Sequence, residues 1–233
     1  TDSGGTDQSN GAVYSRLWEL FHRTMNDAKK AEWIFFHLHC KTVGYHNDMY
    51  PPSAQGQARE VPVQDQVDEY EVIGPDGYGY PIYALKENHK ALYGGLISEE
   101  DMAKAYDDAN PYENRDPRFY RDIIYHGSMF KGKWINTATG ADAINAANST
   151  STGYFTRKYF DGYYTKGMSG NWNFDAPLIR LATIYLVYAE AVTRSKGATP
   201  EVYNLMNELR ARSFMAPIPP AAQTNKELLL DYI

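Results

Sequence analysis

The apolar positions Val13, Leu17, Leu20, Phe21, Met25 and Ala28 recur every three or four residues, which places them on one face of a helix from about Ala12 to Lys30. The pattern continues more weakly beyond it, so the first predicted element is a helix over residues 12–40. Periodicity is then lost. Residues 42–62 are rich in Gly, Pro, Gln, Asn and Tyr and predict a long loop, of a length that in compact domains is often functional. A short helix at 65–72 leads into Gly74-Pro75-Asp76-Gly77-Tyr78-Gly79, where glycine and proline reverse the chain. Ser98, followed by Glu99, Glu100 and Asp101, caps a helix expected to reach about Ala109, where Asn110-Pro111 ends it.

Residues 110–165 predict strands and loops. Phe119–Tyr125, Phe130–Ile135 and Gly153–Phe160 are aromatic and β-branched, as a small antiparallel sheet requires. Residues 136–152, almost wholly Ala, Asn, Ser, Thr, Gly and Asp, offer little apolar area and are expected to form a mobile surface excursion. Residues 175–213 predict a helix pair. Asp175 serves as cap, Pro177 falls in the first turn, Leu178 to Lys196 is apolar nearly all round, and Gly197 stops the helix. Thr199-Pro200-Glu201 opens the second helix, with Val202, Leu205, Met206 and Leu209 as its buried stripe. Ala182, Ala189 and Ala191 permit close approach of a neighbour, as in stacked tetratricopeptide-like pairs, although one pair is equally an ordinary helical hairpin. Thr224 and Glu227 form a capping box for a last helix with Leu228, Leu229 and Ile233.

Composition narrows the function. The chain has 20 Tyr, 9 Phe and 4 Trp, and a ring with one polar edge can stack on the apolar face of a sugar while its hydroxyl bonds to the rim. Filling a core is the competing use of such rings. A formal net charge of -6, with basic residues scattered among acids, argues against nucleic acid as a partner. The single cysteine, Cys40, cannot form an intramolecular disulfide and leaves the compartment open. The most apolar run, Leu178 to Val192, is interrupted by Arg180, Thr183 and Glu190, so no bilayer-spanning helix is expected. A polar first stretch without a signal pattern, and a last predicted helix that runs to the final residue, lead us to expect a fragment of a longer protein.

Catalytic signatures are lacking. His37, His39, Cys40, His46 and Asp48 lie within 12 residues, but no paired spacing of structural-zinc type occurs, and on a helix His37 and His39 would point apart. The adjacent acids Glu99-Glu100 and Asp107-Asp108 do not face a common cleft as acid and base. No G-x-S-x-G elbow, P-loop, dinucleotide-binding glycine pattern or H-E-x-x-H is present. No catalytic residue, metal site or cofactor is therefore assigned.

Three segments, taken in order, resemble landmarks of the SusD/RagB family. Residues 62–71, PVQDQVDEYE, with the glycine-rich turn after them, are similar to its "VDAY/F-E" and "DG" sequence. Asn114 to Tyr120, NRDPRFY, resembles the "RDPRL" turn, and Gly153 to Tyr159 the "GYY-RK" strand. Ile179 to Ala191, IRLATIYLVYAEA, and Leu205 to Arg212 resemble the family's paired helices. Glu69 departs from the family, which usually has a small residue there.

The resemblance implies a single domain over 1–233, mainly α with a minor antiparallel β element: TPR-like helix pairs joined by long irregular loops, with N-terminal helical repeats and the extreme C-terminus outside the fragment. It also implies non-catalytic capture of an oligosaccharide at the outer membrane of a cell. The protein would be a surface-exposed lipoprotein, held by a lipid anchor outside this fragment and partnered with a SusC-like TonB-dependent transporter. The alternatives are a RagB-like peptide receptor and, from other classes, a glycan-degrading enzyme or a helical-repeat scaffold. Gln64, Asp68, Tyr70, Asp116, Pro117, Arg118, Arg180 and Glu190 read as structural, with Glu190 as a buried partner for Arg118 and Arg180. The candidate ligand-binding residues are Tyr45, His46, Asn47, Asp48 and Tyr50 in the 42–62 loop, with Trp134, Trp172, Tyr163 and Tyr164 as a second set near glycine-rich turns, of which the indoles Trp134 and Trp172 are carried forward.

Overall fold

A computed structural model describes residues 31–41, 48–82, 96–158 and 173–233. The fold is mainly helical with a few short antiparallel strands. It divides into two compact units, where the sequence reading takes one domain: Thr1–Val67 with Arg118–Leu178, and Asp68–Pro117 with Ile179–Ile233.

Within the first unit, β1 (Trp33–Lys41) pairs with β8 (Asn173–Arg180) in a two-stranded sheet. This corrects two expectations. The helix expected over 12–40 does not include residues 33–41, because Trp33, Ile34, Phe35 and Phe36 lose side-chain rotational freedom in a helix and fit a pleated strand. The remainder of that expected helix, over 12–30, lies outside the described residues. Nor does a helix start at Asp175: proline biases the residue before it to extended backbone, and residues 173–180 form β8.

α1 (Gln64–Asp68) is shorter than expected, because Val72 is drawn into a strand. α3 (Pro117–Asp122) replaces most of the strand expected at 119–125, since Pro117 has a φ ready for a first helical turn. Only β4 (Ile123–Ile124) remains extended there, and it pairs with β7 (Phe155–Thr156) in the register Ile123↔Thr156 and Ile124↔Phe155. β5 (Met129–Phe130) and β6 (Lys133–Trp134) form a hairpin inside the stretch expected as one strand.

The excursion expected at 136–152 is tied down instead. Thr150 is buried, and its Oγ1 accepts from the amides of Thr152 (3.0 Å) and Gly153 (3.1 Å). Buried Asp142 accepts the Ser53 amide at 2.8 Å, and the Thr152 hydroxyl donates to the Pro62 carbonyl at 2.7 Å. Hydrogen bonds to buried side chains thus supply the order that apolar area could not.

In the second unit, β2 (Val72–Ile73) and β3 (Gly79–Tyr80) close the glycine-rich turn. α2 (Glu99–Ala105) begins under the Ser98 hydroxyl, which accepts the Asp101 amide at 3.1 Å. α4 (Leu181–Lys196) and α5 (Pro200–Arg212) pack as a helical hairpin, with Gly197 at φ 83 ending the first and the Thr199 hydroxyl capping the second. α6 (Lys226–Tyr232) packs against α4. Its cap is Asn225, not Thr224: Asn225 Oδ1 accepts from the amides of Glu227 and Leu228. Ala189, Val192, Val202, Met206, Ile218, Ala222, Leu228, Leu229 and Tyr232 form the core of this unit. α4 is not buried all round, since Ile184, Val187 and Tyr188 form an exposed stripe on it.

A buried ion pair joins the two ends of this unit. Arg210 Nη1 and Nη2 donate to the two carboxylate oxygens of Glu71 at 2.6 and 2.7 Å, and Arg210 Nε donates to the Ala216 carbonyl at 2.7 Å. The guanidinium lies 5.5 Å from the centre of the Tyr232 ring, whose hydroxyl donates to the Gly79 carbonyl at 2.9 Å. Burial, followed by the Glu71 charge, pushes the Tyr232 phenol well above the usual range and keeps it a donor. A Cβ at Gly79 would stand 1.8 Å from Glu71 Oε2, so this position has room for glycine alone.

That geometry sets the outcome of three substitution experiments. Glu71→Ala leaves a buried guanidinium uncompensated and is expected to lower the unfolding free energy by about 3–5 kcal/mol in denaturant titration. The double variant Glu71→Leu with Arg210→Met should lose less than either single change, because no buried charge remains. Gly79→Ala should weaken the same ion pair and destabilise the protein by about 1–3 kcal/mol, since the carboxylate must move to admit a methyl group.

Candidate functional site

The β5–β6 hairpin presents the most exposed large hydrophobic side chain among the described residues, Trp134, at 70% exposure. Local sequence explains the turn. Lys131 and Gly132 both take positive φ (50° and 72°), the combination that matches hairpin twist in a two-residue connection, and the register is Met129↔Trp134 and Phe130↔Lys133. Alternation then sorts the side chains: Phe130 and Ile135 point into the core while Trp134 points out.

The hairpin is pinned from several sides. The Ile135 amide donates to the Ser128 carbonyl and the Gly127 amide to the Ile135 carbonyl, both at 2.9 Å. Phe130 and Ile135 pack with Met49, Tyr50, Ala58, Ile124 and Phe155. Lys133 Nζ donates to the Ser53 carbonyl at 2.8 Å, and the Lys131 ammonium sits 5.2 Å from the Tyr50 ring centre. Beyond Trp134, Asn136 Oδ1 accepts from the amides of Ala138 and Thr139, each at 3.0 Å, and Asn136 Nδ2 donates to the Thr139 hydroxyl. The Thr137 amide donates to His126 Nδ1 at 3.1 Å, which leaves the proton of a neutral imidazole on Nε2. An indole on such a frame presents an exposed apolar face on a hairpin whose backbone is already hydrogen-bonded.

The expected site residues separate on the structure. Tyr50 is corrected: at 3% exposure its ring is sealed against Phe130, edge-on at 5.2 Å, and it can stack on no ligand. Asp48 is half-buried and forms an ion pair with Arg59 at 3.4 Å. Tyr45, His46, Asn47, Tyr163, Tyr164 and Trp172 lie outside the described residues.

His37 and His39 both belong to β1, so the helical premise that set them apart does not hold. Even so, no group of three or more His, Cys, Asp or Glu side chains among the described residues is placed to hold a metal ion. No helix among them is long and apolar enough to cross a membrane.

Of the residues read as structural, Gln64 Oε1 accepts the Tyr154 hydroxyl at 2.9 Å. Arg115 donates to the Tyr70 carbonyl at 2.9 Å, and buried Asp116 donates its amide to the Glu71 carbonyl at 2.8 Å. Pro117 opens α3 with Arg118 beside it, Arg180 occupies the N-cap position of α4, and Asp68 ends α1. Glu190 is a correction: it is exposed and pairs with Arg194 one turn along α4, at 2.7 Å. Glu71, which the sequence reading quoted within a motif without assigning it a role, is instead buried in a charged pair. Its partner Arg210 lies 139 residues away, so only the tertiary structure connects them.

Comparison with known proteins agrees with this architecture. No curated protein matches the chain. Among solved structures, a SusD-like carbohydrate binding protein from Bacteroides fragilis superposes with a TM-score of 0.67 at 21% identity, over 92% of this chain and 40% of that one. A second SusD-like protein from the same organism gives 0.61 at 20% identity, over 94% of this chain and 42% of that one. The chain thus spans about two fifths of the length of these structures. The model of the SusD family matches residues 15–233, nearly the whole sequence, and with the helical hairpin and the short strands already in place, this chain belongs to the SusD family.

Proposed function

We propose that this chain is the glycan-contacting part of a cell-surface binding protein that captures oligosaccharides without altering them. The carrying observation is Trp134, an indole left 70% exposed on a hairpin whose backbone and neighbouring side chains are otherwise committed. An aromatic face on an ordered hairpin gives apolar contact to a sugar ring at little conformational cost. Membership of the SusD family supports placing such a platform in nutrient uptake. In this reading the complete protein is a lipid-anchored outer-membrane receptor that passes its ligand to a TonB-dependent transporter, and no bond in the ligand is broken.

Calorimetric titration of the complete protein with a panel of polysaccharides and peptides tests the reading. Trp134→Ala should weaken binding to the recognised glycan about 10-fold or more while leaving the melting temperature unchanged, and Trp134→Phe should recover part of the loss. Binding of peptides in preference to every glycan, or release of new reducing ends from bound polysaccharide, would rule it out. Tyr50→Ala should behave in the opposite way, costing about 3–5 kcal/mol of stability because it empties a core position.

A further inference from the structure

Strand alternation decides which side chains of the hairpin stand beside the exposed indole. Lys133 and Ile135 flank Trp134 in sequence and so lie on the opposite face, Ile135 in the core and Lys133 bonded to the Ser53 carbonyl. Lys131, in the turn, rests over the Tyr50 ring, which packs with Phe130 and Ile135 on that same inner side. Asn136, two residues beyond the indole, commits its amide oxygen to the turn that follows, accepting from Ala138 and Thr139. The neighbour on the indole's own face lies across the ladder. Trp134 is paired with Met129, and paired residues project to the same side. Ile135 donates to the Ser128 carbonyl and accepts from the Gly127 amide, so the next pair along, Met129 and Trp134, is the non-hydrogen-bonded kind in which side chains stand closest. The Cβ atoms of such a pair are about 4.5–5.5 Å apart. Met129 is half-buried, so part of its side chain meets solvent on that face. The chain beyond it is open, since a Cβ at Gly127 would meet nothing within 4 Å.

From this register we infer that Met129 is a second ligand-contacting residue, so that the cross-strand pair Met129 and Trp134 forms one apolar platform for adjacent sugars of an oligosaccharide. The inference rests on the glycan-binding reading above and adds to it a residue that the aromatic count in the sequence could not point to. The two side chains have different work. The indole is rigid and flat, and fixes one sugar ring by stacking on its apolar face. The thioether is unbranched, polarizable and free to change rotamer, so it can follow the next sugar, whose tilt depends on the linkage. A single sugar needs only the indole, whereas a chain of sugars gains the second contact. The contact is apolar, because the hairpin's two lysines are turned to the inner side.

The test titrates the complete protein with maltohexaose, laminarihexaose, cellohexaose and mannohexaose, alongside the polysaccharide panel. Met129→Gln keeps the length of the side chain but replaces the thioether with a polar amide, and should cut affinity for the hexasaccharide bound most tightly about three- to ten-fold at unchanged melting temperature. Met129→Leu, which restores an apolar contact, should recover most of that loss. Contact is read directly in protein carrying methyl-labelled methionine: the resonance that disappears in Met129→Leu should show a nuclear Overhauser effect to sugar ring protons in the bound state. Hexasaccharide affinity that depends on Trp134 but is unchanged in Met129→Gln would overturn this inference and leave the glycan-binding reading standing. A loss in Met129→Gln without that Overhauser effect would make Met129 a support for the indole and overturn its assignment as a contact. Absence of binding to any carbohydrate would overturn both readings.

Discussion

A buried carboxylate and guanidinium, Glu71 and Arg210, organise the second unit. Neither charge is tolerable there alone, so the pair fixes β2 against α5 in the one geometry that satisfies both oxygens and both terminal nitrogens. Its surroundings are shaped to fit. Gly79 has no side chain because the carboxylate fills that space, Tyr232 of α6 covers the guanidinium, and the Glu71 carbonyl receives the Asp116 amide. A glycine-rich turn, a helical hairpin and a C-terminal helix are thereby held at one point. Apolar packing by Val202, Met206 and Leu229 supplies bulk stabilisation around it without specifying the geometry.

The first unit uses a different device. Its strands β4 to β7 are each two residues long and could not stand alone, since isolated short hairpins are marginal in water. Side chains compensate: Thr150, Asp142, Gln64 and Lys133 each close a hydrogen bond to backbone or to another side chain, and Phe130 and Ile135 anchor the hairpin from below. Rigidity here serves recognition. An indole on a flexible loop would have to be ordered on binding, whereas Trp134 stands on a frame already ordered by interactions that do not involve it.

The helix ends that the sequence located correctly are those set by local chemistry, whereas α4 starts later than expected and α2 stops at Ala105, short of the expected Ala109. Thr199-Pro200 opens α5, Gly197 closes α4, and Ser98 opens α2, each through bonds or dihedrals within a few residues. Errors cluster where the same residues suit two structures. Trp33 to Phe36 fit a helical stripe as well as a strand, and the availability of β8 decided between them. Arg180 reads as a partner for Glu190, yet Glu190 faces water, and Glu71, a buried acid given no role in the sequence, has its partner 139 residues distant.

From sequence alone came a helix pair within residues 175–213, the turn at Gly74 to Gly79, and the set of aromatic and structural residues from which any site must be drawn. All of these depend on period, capping or backbone freedom, which act over a few residues. Which aromatic ring faces solvent was a tertiary decision. Tyr50 and Trp134 carry similar local signals, but a single β-hairpin register turned Phe130 and Ile135 inward onto Tyr50, burying that ring, and by the same alternation pointed Trp134 outward. Burial is settled by contacts between distant segments, and those contacts leave no trace in the spacing of residues along the chain.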